Sequence, residues 1–355
     1  MRYVKLLFLL TLLFACEKKK VDQPKPIFDS KSGLKNGMMV LCQGLFQQNN
    51  STISWVDLSN GVSDDVFFTT KTGRLLGDTG NDIDVYGSKI YVVVNVSSTI
   101  EILNKNTGES IKQISMMNGA IAKQPRSIVF SGSNAFITCF DGYVDVLDTA
   151  TLTITKRIKV GENPEGLSIS NGKLYVANSG GLNSPNVDST VSVISLSSLE
   201  EMKKITVGKN PGSVVTDSQG DVYVIARGNY GNIPSRMVRI NSSNDLVENT
   251  FPFDASGMEV MGSNLLINYH NYTTKTSNIA LFDAITETIS NSTLIDNSYF
   301  TTLYGVQYNL TNQKIYCLDA MGYSNTGYVR VFSVTGQYET SYHVGLNPGK
   351  IIFYP

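Results

Sequence analysis

The stretch Pro164-Glu165-Gly166-Leu167-Ser168-Ile169-Ser170-Asn171-Gly172-Lys173-Leu174-Tyr175-Val176-Ala177-Asn178 decides the fold. Two short runs rich in apolar and β-branched residues flank Asn171-Gly172, a dipeptide that accepts positive φ cheaply and so closes a tight hairpin. Thr190-Val191-Ser192-Val193-Ile194 follows with strict alternation, the period of a half-buried strand. Met202–Val207 supplies a fourth run, and Gly208-Lys209-Asn210-Pro211 leads into the next unit. Gly161-Glu162-Asn163-Pro164 and Gly345-Leu346-Asn347-Pro348 repeat that junction, where proline ends one strand and sets the start of the next.

Working outward, the second strand of this unit recurs along the chain. Met39, Tyr91, Phe136, Tyr175, Tyr223, Leu266 and Tyr316 occupy its third position in seven apolar runs. Their mean step is about 46 residues, and a period of that size with several strands per unit is the mark of a β-propeller. The unit Gly37–Thr70 lacks an opening strand, whereas Pro348–Pro355 is an opening strand with nothing after it. Joining the two closes the ring and removes both open sheet edges. The expectation is an all-β, seven-bladed β-propeller over 33–355, with four-stranded blades closed by the C-terminal strand. Nothing reads as helical; Leu199–Lys204 comes nearest and is too short.

Composition is consistent with this. Apolar residues make up 41% and charged residues 17%, enough to bury a core and too little charge for disorder. Lys plus Arg is 29 against Asp plus Glu 30, which argues against a nucleic-acid binder. Two histidines exclude a multi-histidine metal centre. Cys42, Cys139 and Cys317 sit in strand-like runs and read as buried thiols. Asp78–Asp84 has hard oxygen ligands but not the order of acids in an EF-hand loop, and reads as turn chemistry; no metal site is expected.

Residues 1–15 read as a signal peptide: Arg2 and Lys5 precede a short apolar run, and Leu13-Phe14-Ala15-Cys16 looks like a lipoprotein cleavage box. Cys16 is the expected lipidation site, and 16–32 a polar, proline-bearing tether. The chain is therefore expected on the outer membrane, held by a lipid anchor and displayed at the cell surface, with the periplasmic face left open.

In a four-stranded blade the connections alternate between two faces. One set is short here, as in Gly87-Ser88, Asn171-Gly172 and Thr335-Gly336; the other is long and uneven. Loops on a rigid scaffold carry binding, so the long-loop face is the expected working face. Its candidate ligand-binding residues are Phe46, Asn178, Asn183, Arg227, Asn229, Tyr230, His270, Tyr272, Tyr299 and Tyr323. Aromatic faces with amide donors suit a large, flat, polar ligand. Asp141, Asp145, Glu165 and Glu259 are acids without assigned geometry, and no catalytic residue is named.

Leu174-Tyr175-Val176-Ala177-Asn178 and Ile205-Thr206-Val207-Gly208-Lys209-Asn210-Pro211 resemble the YncE-like, YVTN-type seven-bladed propellers. Leu76–Tyr91, followed by Ser98-Thr99-Ile100-Glu101-Ile102, is similar to a propeller lipoprotein family of gut anaerobes. That family includes surface proteins that capture cobalamin and pass it to a TonB-dependent outer-membrane transporter, alongside members with no assigned ligand. The resemblance therefore implies capture of a corrinoid as ligand, with no resident cofactor. Leu41-Cys42-Gln43-Gly44 departs from the family's Leu-Asn-Glu-Gly. Two other readings stay open: a protein-interaction scaffold without a small ligand, and a propeller lactonase or lyase.

Overall fold

The computed structural model describes residues 33–271, 274 and 276–355. Cys16, the expected signal peptide over 1–15 and the expected tether over 16–32 lie outside them, as does Tyr272. Seven four-stranded antiparallel sheets form the blades of a propeller. Blade 1 orders Pro348–Tyr354, Gly37–Cys42, Thr52–Asp57 and Ser63–Asp64 from inside to outside. Blades 2 to 7 open with the inner strands Gly80–Tyr86, Pro125–Ser131, Pro164–Ser170, Pro211–Thr216, Ala255–Met261 and Leu303–Asn309. Each inner strand packs against the inner strands of the two neighbouring blades, and Pro348–Tyr354 completes the circle between blades 7 and 2.

The C-terminal strand closes the ring on the first blade, as expected. Gly37 pairs with Tyr354, Met39 with Ile352 and Leu41 with Lys350, all antiparallel. The seven aligned positions Met39, Tyr91, Phe136, Tyr175, Tyr223, Leu266 and Tyr316 are all buried between blades. Each is worth about 1.5–3 kcal/mol of burial, which gives the ring a repeated apolar seam in place of one central core. Lysines stitch neighbouring blades: Lys112, Lys156 and Lys203 each donate from an outer strand to a turn carbonyl of the next blade, at Leu152, Ser198 and Asn244.

One local reading needs correction. Blade 1 has only a two-residue fourth strand, Ser63–Asp64, after which Phe67–Thr72 forms a short α-helix. The helix buries Phe67 and Phe68 against the blade, and Gly73 ends it in the left-handed region at φ 73°. Six residues are too few for a helical period to show in the sequence. Leu199–Lys204 is not helical, as expected: a left-handed turn residue at φ 56° is followed by the strand Glu200–Thr206.

Candidate functional site

The site begins with a break in each inner strand. All seven carry a register shift against the second strand near their first residues. A β-bulge leaves its extra residue unpaired and re-aims the side chain. The bulge residues are Asn81, Arg126, Glu165, Gly212, Ser256, Tyr304 and Gly349, one from each blade. All seven line a central cavity of about 650 Å³. They sit where the inner strands start, which is the long-loop end of the ring.

A second tier comes from the residues that follow the second strands. In six of the seven blades the residue before the inner strand offers its carbonyl to the residue leaving the second strand of the same blade. Asn347 thus holds the Gln43 N–H at 2.9 Å, Asn210 the Arg227 N–H at 3.0 Å, and Gln124 the Phe140 N–H at 3.1 Å. The two tiers complement each other in size. Where the bulge residue is Gly212, the Arg227 guanidinium lies against the bare backbone: a Cβ there would fall 2.3 Å from its Cζ. Gly349 accommodates the side chain of Gln43 in the same way. Where the bulge residue is Arg126, the second tier offers the Phe140 ring, 4.6 Å below the guanidinium. The mouth is therefore polar all round.

Its charges are concentrated on blades 3 to 5. Arg126 donates from Nη1 to Asn81 Oδ1 at 2.5 Å and from Nη2 to the Glu165 carboxylate at 3.2 Å. Asn81 returns a hydrogen bond to the Arg126 carbonyl at 2.7 Å. Arg227 Nη1 lies 3.9 Å from the same Glu165 oxygen. Burial pushes the Glu165 carboxyl up, but Arg126 and Arg227 outweigh it and hold the group below its ordinary value. Across the mouth, Tyr304 donates to Gln43 Oε1 at 2.6 Å and meets Tyr323 edge-on with centroids 5.8 Å apart. Deeper in the channel, Lys350 pairs with Asp82 at 2.5 Å. Glu259 faces the same space, and burial raises its carboxyl from 4.5 to about 7.

Beside the mouth, a recess of about 350 Å³ runs over blades 3 to 5. Leu182, Pro185, Val187 and Phe140 give it apolar walls, and Asn210 and Asn229 polar ones. Arg126, Glu165, Arg227 and Tyr230 border both spaces, so the recess and the channel form one continuous site.

Of the ten residues singled out from the sequence, Arg227 and Tyr230 border both spaces, Tyr323 lines the channel and Asn229 the recess. Asn178 is fully buried: it donates to Thr190 Oγ1 and Ser192 Oγ, and its oxygen accepts from the Gly161 N–H. Its work is to hold blade 4. Asn183 is exposed in a 3-10 turn, 3.5 Å from Glu162, and Phe46 is exposed in the blade 1 loop. Tyr299 stacks on Tyr338 and meets Phe332 edge-on toward the outer strand of blade 7. His270 pairs with Ser277 through the backbone, and its side chain is outside the described set.

Arg126, Asn81, Tyr304 and Gln43 were missing from that selection. The signal for the bulge residues was present: the position after the junction proline is Arg126, Glu165, Gly212 and Gly349 in four units. The acids of Asp78–Asp84 do not converge. Asp78 accepts the Gln47 and Asn49 N–H groups, Asp82 takes Lys350 and the Ile128 N–H, and Asp84 takes the Val85 N–H. Among the described residues, no three His, Cys, Asp or Glu side chains group so as to hold a metal ion. Cys42, Cys139 and Cys317 are free, buried thiols.

Comparison with solved structures places the chain among propellers of very different roles. A quinonprotein alcohol dehydrogenase-like protein from Bacteroides thetaiotaomicron superposes with a TM-score of 0.68 at 14% identity, covering 92% of this chain and 80% of its own. Kuenenia stuttgartiensis hydrazine synthase gives 0.59 at 17%, covering 70% and 74%. The Pan2 WD40 domain of Neurospora crassa gives 0.56 at 9%, covering 77% and 80%. At such identities the likeness is one of fold alone. No curated protein matches the sequence. The model of the family described as a domain of unknown function, DUF5074, matches residues 36–344, and the chain belongs to that family.

Proposed function

We propose that this protein is a lipid-anchored binding protein of the cell envelope that captures a bulky polar nutrient on its long-loop face. The observation that carries the reading is the mouth: side chains from the bulges of five blades, with Gln43 and Arg227 filling the places left by Gly349 and Gly212, around a cavity of about 650 Å³ that opens into an adjoining recess. Such a surface is pre-formed on a rigid ring, so binding orders little and loses little entropy. Capture of a scarce nutrient calls for a nanomolar dissociation constant, about −12 kcal/mol. A corrinoid is the ligand that the resemblance to gut-anaerobe lipoproteins supplies, and a TonB-dependent transporter the partner to which it would pass. The reading is of capture without turnover.

Exposed apolar side chains on the same face, among them Phe46 (67%), Leu182 (64%) and Tyr230 (66%), favour docking to a partner alongside capture. Calorimetric titration of residues 33–355 with cyanocobalamin tests the ligand. Binding that weakens at least tenfold in Tyr230→Ala supports the reading, and mass spectrometry should recover the ligand unchanged. No heat and no thermal shift at tens of micromolar would remove corrinoids. A transporter retained equally well without ligand would turn the reading toward a scaffold.

A further inference from the structure

We infer that the site takes a two-part ligand, with an oxyanion seated on Arg227 beside Arg126 and a flat or apolar group lodged in the recess under Tyr230. This deepens the capture reading and rests on it.

The case starts with an unequal charge count. Two guanidinium groups, Arg126 and Arg227, share one carboxylate, that of Glu165. Arg126 is well used: Asn81 and Glu165 take its terminal nitrogens and Phe140 lies under its plane. Arg227 is not. Among the described residues its guanidinium makes a 3.9 Å ion pair with Glu165 and no hydrogen bond. A guanidinium carries five N–H donors in a planar fork that fits a carboxylate or phosphate at two points. Gly212 lays that fork flat along the wall of the mouth, only partly exposed, so its donors face the space shared by channel and recess. Lys350, the other cation of the cavity, already holds Asp82.

The net charge of the Arg126, Arg227 and Glu165 group is therefore positive by one. A cleft with low-dielectric walls focuses that charge onto an incoming anion. Glu165 is then an internal competitor that occupies the edge of the seat. The recess begins at the same two arginines, and Leu182, Pro185 and Val187 give its walls an apolar surface. The shared chemistry is an oxyanion next to a planar or apolar group, whether the oxyanion is a phosphate or a carboxylate.

The probes are phenyl phosphate, benzoate and uncharged benzyl alcohol, titrated against the purified protein at low salt by calorimetry or NMR. One of the two anions should bind at least tenfold more tightly than benzyl alcohol, and the tighter of the two names the source. Arg227→Gln should erase that preference, with Arg227→Lys recovering part of it. Glu165→Gln should tighten anion binding severalfold by removing the competitor, whereas a Glu165 that only props the arginines would weaken it when lost. Melting curves of each variant check that the fold is retained. Equal binding of all three probes, an unchanged preference in Arg227→Gln, or no binding of any probe overturns the inference. Benzyl alcohol bound as tightly as the anions, and lost in Tyr230→Ala, would sink the oxyanion seat while leaving the capture site standing.

Discussion

Replacing Glu259 by glutamine should stabilise the propeller at pH 8 and leave it almost unchanged at pH 4. The carboxyl stands on the inner strand of blade 6 and faces the channel, where the Tyr308 N–H approaches it at 3.4 Å. Burial is the largest influence and raises it from 4.5 to about 7; the Tyr308 N–H and the charge of Lys350 offset part of that. Below pH 4.5 the group is protonated in both folded and unfolded chains and contributes nothing. Between 4.5 and about 7 the unfolded chain releases its proton while the folded chain keeps it, so stability falls as pH rises. Above 7 the loss is complete and constant. The interval corresponds to on the order of 3 kcal/mol. At roughly 2 cal/mol/K of unfolding entropy per residue over the propeller, that amounts to about 5 °C in melting temperature. Glutamine keeps the shape and cannot ionise. Melting curves of both proteins at pH 4, 6 and 8 should show the gap opening between pH 4 and 8. An equal gap at both ends, or a variant that melts lower at pH 8, would refute the reasoning.

Three other outcomes follow from the same geometry. Deleting Pro348–Pro355 removes the pairing to Gly37–Cys42 and the burial of Ile351, Ile352 and Tyr354, on the order of 5–8 kcal/mol, comparable to the whole stability of a domain. Cooperative melting should be lost, and the sole tryptophan, Trp55, which meets Tyr354 at 5.2 Å, reports it by fluorescence. Asp145→Ala should cost about 3–5 kcal/mol, because Asp145 is fully buried and pairs with both Lys123 and Arg157 at 2.6 Å; chemical denaturation measures it. Cys42, Cys139 and Cys317 should resist thiol reagents in the folded state and react after unfolding, since burial raises all three thiols, Cys42 to about 12.

The fold was legible because strand pairing writes itself into the sequence as alternation, and because Asn171-Gly172 and the Asn-Pro junctions mark where strands stop. The junction asparagines do adopt left-handed backbone, at φ 44° for Asn163 and 57° for Asn210. Turns between third and fourth strands were read where glycine holds the left-handed position, as at Gly61, Gly108 and Gly336. In the other blades Leu152, Leu199, Asp245 and Glu287 take the same conformation, at φ 55–57°. Leucine and glutamate give no turn signal, so the turns at Leu152, Leu199 and Glu287 are not marked in the sequence. The site was less legible for a related reason. Loop side chains such as Phe46 and Asn183 attract attention because they stand in long, uneven connections, but the mouth is built chiefly by bulges inside strands. Arg126 and Tyr304 sit in runs that read as ordinary pairing, and only a fold with strand starts gathered on one axis brings them together.

The entry point of the chain has a directional consequence. The Leu34 N–H bonds to the Asn106 carbonyl in a short turn of blade 2, and the Asn36 N–H to the Pro355 carbonyl. Both contacts lie on the short-turn side of the disc, away from Arg227 and Tyr304. A membrane attachment made upstream of Leu34 would thus join the disc from beneath, on the side opposite the open mouth, so that neither the attachment nor the closing strand stands in the way of whatever approaches that mouth.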